Sequence, residues 1–229
     1  MFVDADDYVS PLYISDLMKY SKYDLVVQGY ISCYENGTAC KTMIPPMCQV
    51  EYQQYGEFLF RKEIYRYMTM LWNKLFDTKL IKDNNLSFRD ISTGEDICFI
   101  FDYLEYAKKI FISEDTNYHY VLTKGSLSRK SMPDIWERQN DINNYCRKNF
   151  YPNYGVTWAN VFVRAAKRTL GEAADNKEKF NLQINKIRDD ASFKKVKISY
   201  LRGHIEKLLF ILILSRNKYV LWMVFRFVK

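Results

Sequence analysis

The spacing of apolar residues changes along the chain, and the changes divide it into elements. Met1 to Val3 reads as the buried end of a strand. Behind Pro11, the segment PLYISDLMKYSKY places Leu12, Ile14 and Leu17 at helical intervals, and proline suits a helix start. DLVVQGYISCY predicts a strand, and ENG after it a turn in which Gly37 is free to take positive φ. Pro45-Pro46 breaks the next segment. GEFLFRKEIYRYMTMLW predicts a helix whose broad face holds Phe58, Leu59, Ile64, Tyr67, Met68 and Leu71. WNKLFDTKLI reads as a short strand or turn leading into a helix start. The strongest helix of this half is TGEDICFIFDYLEYAKK, with Thr93 as N-cap, Ile97, Ile100, Phe101 and Leu104 on one face, and lysines closing the last turn. KIFISE and YHYVLT follow as two strands.

This alternation predicts an α/β domain over residues 1–125. From Ser126 the period is helical throughout, which predicts a helical C-terminal region over 126–229. At its end, HIEKLLFILILSRNKYVLWMVFRFVK has two apolar runs separated by Ser215, Arg216, Asn217 and Lys218. Neither run reaches the ~20 residues a membrane span needs. The mixture of Arg, Lys, Trp and Phe suits helices lying in a membrane interface over 204–229, and equally a buried helix packed on the α/β body.

Composition narrows the classes. With 48% hydrophobic residues, 17% aromatics and only 8 Gly and 5 Pro, the chain can build a core and is not a disordered or fibrous one. Its net charge of +7 favours anionic partners: nucleotide phosphates, nucleic acid or an anionic membrane. Basic residues are interspersed with acids and no nucleic-acid motif is present, so nucleic acid is not expected. The 5 cysteines form no CxxC pair and there are only 2 His, which argues against structural zinc and for reduced thiols in a cytosolic setting. Acids follow directly on Val3, so no secretory signal is expected at the start of this sequence.

The candidate chemistry begins at MFVDADDYV. Asp4, Asp6 and Asp7 repel one another unless a cation sits between them, and carboxylate oxygens suit Mg²⁺ or Mn²⁺, ions that commonly accompany phosphate. Asp4-Ala5-Asp6 is then a DxD metal site; the plain alternative is a solvated acidic turn capping the helix at Pro11. DxD at a strand end also occurs in haloacid dehalogenase phosphatases, whose hhhDxDx(T/V) pattern is broken here by Tyr8.

The rest of the chain favours another class. FVDADDYVSP, WNKLFDTKLI and FRDISTGEDICFIFDYLEYAKKIFISEDTNYHYVLTKGSLSR, in that order and spacing, resemble the family 2 glycosyltransferases of bacterial polysaccharide synthesis. The resemblance spans Met1 to Arg129. It implies a partial GT-A fold, a Rossmann-like α/β sandwich, and transfer of a sugar with inversion from a nucleotide-sugar donor to a glycan or lipid-linked acceptor. It implies a divalent cation held by Asp4 and Asp6, with Asp7 orienting them or touching the donor. Asp96, or else Glu95, would be the general base, although adjacent acids also suit a helix N-terminus structurally. Lys74 would reach phosphate or acceptor, or be a surface lysine beside Trp72 and Phe76. His119 stands where some relatives carry a late metal ligand, and is otherwise structural.

Family members carry a long nucleotide-binding segment ahead of the DxD. On this resemblance the chain is the C-terminal portion of such an enzyme and is expected to transfer no sugar unaided. The setting implied is the cytoplasmic face of a bacterial membrane. A haloacid dehalogenase-like phosphatase and a non-catalytic, membrane-associated remnant are the rival readings.

Overall fold

The run DLVVQGYISCY forms two strands rather than one, β2 (Leu25–Val27) and β3 (Tyr30–Tyr34), in a computed structural model that describes residues 1–59, 61–91, 94–123, 135–150, 155–215 and 217–227. The break falls at Gln28-Gly29, where a Cβ on Gly29 would stand 2.3 Å from the Met43 carbonyl oxygen. Only glycine permits that approach, and the two halves of the run enter different sheets.

The first sheet has the order β1 (Tyr8–Val9), β8 (Tyr118–Leu122), β3, β4 (Ala39–Met43). The second has the order β5 (Cys48–Glu51), β7 (Lys109–Ile112), β2, β6 (Lys74–Phe76). β2 lies parallel to β7 and β3 parallel to β8, while β1, β4, β5 and β6 pair antiparallel to their neighbours. Parallel neighbours need long crossovers. These carry α2 (Tyr55–Phe58), α3 (Lys62–Met68), α4 (Thr78–Asp83) and α5 (Glu95–Leu104); α1 (Tyr13–Met18) precedes β2. The mixed α/β class expected from the alternation is the one observed.

Aromatic side chains fill the core. Trp72 is sandwiched in near-parallel contact with Tyr118 and Tyr120, at centroid distances of 4.3 and 5.6 Å. Tyr13 and Leu17 of α1 and Val26 of β2 complete this cluster, and the Tyr13 hydroxyl donates to the Trp72 carbonyl at 2.7 Å. The buried aromatic hydroxyl thus finds the partner its burial demands.

Three expectations need correction, and two strands went unread. Met1–Val3 is not a buried strand end: Met1 and Val3 are exposed, no strand lies beside them, and the arm is held through Phe2. The helix expected through 56–72 is two short helices, because Arg61 adopts an extended backbone (φ −61°, ψ 143°) between them. That break lets Tyr55 and Leu59 on one side and Ile64, Tyr67 and Met68 on the other all bury. α5 stops at Leu104, before the lysines, since the Lys108 and Lys109 amides are taken by the Asp24 carboxylate at 2.6 and 2.9 Å as β7 begins. β4 and β5 had no signal: β4 is an edge strand with four of its five residues exposed, so it needs no apolar face. The expected Thr93 cap and the boundary at 125/126 lie outside the described residues.

The chain divides into two units, Met1–Lys130 and Ser131–Lys229. The second is helical among the described residues: α6 (Ile135–Phe150), α7 (Gly155–Ala173), α8 (Lys177–Asp189), α9 (His204–Leu214) and α10 (Lys218–Phe227). α7 lies at its centre, burying Phe162, Val163, Ala166 and Leu170 against its neighbours. The two apolar runs at the C-terminus are the two helices α9 and α10, divided where the sequence turns polar. Among the described residues no helix is long and apolar enough to cross a membrane.

Candidate functional site

The acids of DADD lie on a turn that precedes β1, closed by the Asp7 amide donating to the Asp4 carbonyl at 3.1 Å. The turn brings one carboxylate oxygen from each of Asp4, Asp6 and Asp7 within 4.8 Å of the others. Asp4 and Asp6 are exposed and Asp7 is half-buried. The turn is tied to the core by one hydroxyl. Tyr118 Oη accepts from the Asp4 amide at 3.1 Å and donates to Asp7 Oδ2 at 2.7 Å. The Val121 amide donates to Asp7 Oδ1 at 2.7 Å. Burial, with the nearby carboxylates behind it, pushes the Tyr118 phenol well above its ordinary range, so it remains a donor at any working pH. Burial and the neighbouring acids raise the Asp4 carboxyl; burial raises Asp7, against the two hydrogen bonds that favour its charged form.

The second part of the site is the N-terminus of α5. Gly94 caps it with φ 86°, a conformation L-residues resist, and the Cys98 amide closes the first turn on the Gly94 carbonyl at 3.0 Å. Gly94→Ala is expected to cost about 1 kcal/mol, read as a lowered urea midpoint. Phe2 links this helix to the acidic arm. Its ring meets Phe76, Phe88 and Phe99 edge-on at 5.8, 5.6 and 6.0 Å. Phe99 sits three residues beyond Asp96, on the same helical face. Asp96 therefore feels the arm: its carboxyl is raised to about 6, first by burial, then by Glu95 and Asp4, with Lys74 opposing. Beside it, Glu95 Oε2 is buried without a hydrogen-bond partner.

Lys74 is neither of the things its sequence context suggested. It is fully buried on β6, and its Nζ donates to the carbonyls of Tyr67, at 2.5 Å, and Met70, and to Asn73 Oδ1 at 2.7 Å. An ammonium has three N–H donors, so none is left for a phosphate. Burial pulls its proton affinity well down; the Asp96 carboxylate and the three oxygens favour the charged form. Asn73 is part of the same knot, donating to the Gln28 carbonyl at 2.9 Å.

His119 stands apart from the acidic group. β8 pairs it with Tyr8, whose ring stacks on it at 4.4 Å and 8°. Its Nδ1 lies 3.6 Å from Cys33 Sγ, which also receives the Tyr8 hydroxyl at 3.5 Å. Burial lowers its affinity for a proton. Among the described residues the group able to hold a metal is Asp4, Asp6 and Asp7, without His119. The residues that sequence reasoning missed are Tyr118 and Val121. The one available signal was the period of YHYVL, which puts Tyr118 on the face opposite His119.

No family model matches the chain, and no curated protein matches it. Among solved structures it is similar to S. aureus TarS 1-349, with 17% identity and a TM-score of 0.56 over 99% of this chain and 64% of that one. It is also similar to S. aureus TarS 1-349 in complex with UDP, with 18% identity and a TM-score of 0.51 over 99% of this chain and 61% of that one. The chain spans less than two thirds of the length of these structures. At such identity the likeness is one of fold.

Proposed function

We propose that this chain carries the cation-binding and acceptor-activating groups of a nucleotide-sugar glycosyltransferase of the inverting family 2 type. The observation that carries the reading is convergence. DADD and GED lie some ninety residues apart in sequence, yet Phe2 of the acidic arm packs edge-on against Phe99 of the GED helix, and Asp4 is among the groups that raise the Asp96 carboxyl. A raised carboxyl near a carboxylate cluster is the arrangement a general base beside a metal would need. The fold is consistent with this, and one of the similar structures is a complex with UDP.

The donor set fits a small hard cation: three carboxylates, two of them exposed, with Asp7 already oriented by Tyr118 and Val121. Asp4 and Asp6 would hold Mn²⁺ or Mg²⁺, which would supply positive charge to the departing nucleoside diphosphate. Asp96 takes the proton from the acceptor hydroxyl. That oxygen forms the new bond to the anomeric carbon as the bond to the diphosphate oxygen breaks. A single displacement inverts the configuration. The Lys74 ammonium opposes the rise of the Asp96 carboxyl without cancelling it. The acceptor is a glycan or lipid-linked sugar at the cytoplasmic side of the membrane.

Calorimetric titration of UDP into the protein tests the reading. UDP is expected to bind only with Mn²⁺ or Mg²⁺ present, and Asp6→Asn to abolish that binding. Binding indifferent to the cation and to Asp6 would sink the proposal, as would hydrolysis of p-nitrophenyl phosphate that depends on Asp4. Tyr118→Phe keeps the ring in the core but strands the Asp4 amide and Asp7 Oδ2. It is expected to lower cation affinity by about 10–100-fold and stability by about 1–2 kcal/mol.

A further inference from the structure

The helical unit has one surface whose composition does not suit water. α9 carries no polar side chain between Lys207 and Ser215. Its inward side is already packed: Leu209, Phe210 and Ile213 are buried, and the Phe210 ring lies 5.5 Å from Phe193. A helix packed on one side normally turns polar residues outward. Here the outward side is Ile205, Leu208, Ile211 and Leu214, at 68, 59, 51 and 51% exposure. α10 continues the pattern. Leu221 is buried and the Trp222 indole N–H donates to the Ala174 carbonyl at 3.0 Å, while Tyr219, Val220 and Val224 remain exposed.

Beyond Glu206, the described charges of α9 and α10 are all basic. They are Lys207, Lys218 and Arg226, and Lys218 also donates to Asn185 Oδ1 at 2.5 Å. Lys177 of α8 adds a cation 5.2 Å from the Tyr219 ring and 5.6 Å from Trp222. The flanking acids are already ion-paired, Glu206 with Arg164 at 3.8 Å and Asp175 with Arg226. A second copy of the chain would set these cations against their own duplicates, since a two-fold contact repeats the same patch. An anionic lipid surface supplies the opposite charge and the apolar layer together.

We propose that α9 and α10 form a peripheral docking surface for an anionic bilayer. They lie in its plane, with Ile205, Leu208, Ile211 and Leu214 entering the headgroup–acyl boundary and the lysines meeting phosphate headgroups. With 11 residues, α9 spans about 16 Å, half of a hydrocarbon core, so it rests on the membrane rather than crossing it. This inference stands independently of the transferase reading.

Flotation with phosphatidylcholine vesicles, with and without phosphatidylglycerol, tests it. The full chain is expected to float with the anionic vesicles and to be released by high salt. Leu208→Glu with Ile211→Glu is expected to lower the partition coefficient about tenfold or more, and Lys218→Gln about fivefold. These side chains are outside the core, so circular dichroism should be unchanged. Equal binding to neutral vesicles, no binding to either, or binding unaffected by these substitutions overturns the proposal. So does a dimer in sedimentation velocity that Ile211→Glu dissociates while vesicle binding is absent.

Discussion

Asp96→Asn is expected to raise the melting temperature of the chain and to cut glycosyl transfer wherever transfer is measured. Loss of a general base lowers kcat by about 10²–10⁴-fold, with donor affinity little changed. The stability change has the opposite sign. The carboxyl titrates near 6 in the folded chain, above the ~3.9 of an unfolded aspartate. The fold therefore disfavours the charged form. That cost is absent below about pH 4, where both states are protonated, and is complete above about pH 6. Asparagine removes it. Because the carboxyl is only partly withdrawn from solvent, the gain at pH 7 is discounted to about 1 kcal/mol. Where turnover is measured, the rate rises with pH through about 6, as the base loses its proton. A purely structural N-terminal acid would give neither the rate loss nor the stabilisation, and its replacement would remove a favourable interaction with the helix dipole.

Lys74→Met is expected to be among the most destabilising single changes in the first unit, by about 3–5 kcal/mol in chemical denaturation. Methionine conserves most of the volume, so the loss comes from polarity. The carbonyls of Tyr67 and Met70 and Asn73 Oδ1 lose their shared donor inside the core. Asp96 loses the cation that favours its ionised form, so its titration moves further up from about 6. A lysine serving as a phosphate contact would behave differently: its replacement would weaken donor binding and leave stability nearly unchanged. The two outcomes separate the roles in one pair of measurements.

How far the sequence reading reached depends on the kind of signal. α5 and the strand β7 were readable because each buries a periodic face. The hairpin strand β4 was not, since an edge strand leaves its side chains in solvent. The split of DLVVQGYISCY depends on a carbonyl of Met43, fourteen residues beyond Gly29, and no local pattern encodes that contact. The same holds in the site. Asp4, Asp6, Asp7, Glu95 and Asp96 stand out as acids next to apolar runs, but what positions them does not. Tyr118 and Trp72 look like core aromatics; that one of them also holds both ends of the acidic turn follows from strand register. Lys74 was misread because two of its three acceptors are main-chain carbonyls, which any sequence possesses.

Whether DADD and GED act as one electrostatic unit is tested most directly by a ¹³C NMR titration of the Asp96 side-chain carboxyl. It is predicted to titrate near 6, and its midpoint to fall both in Asp4→Asn and on saturation with Mg²⁺, since each removes the negative charge that Asp4 presents. An Asp96 that titrates like an ordinary surface aspartate near ~4, or whose midpoint is unmoved by Asp4→Asn and by Mg²⁺, would contradict that coupling.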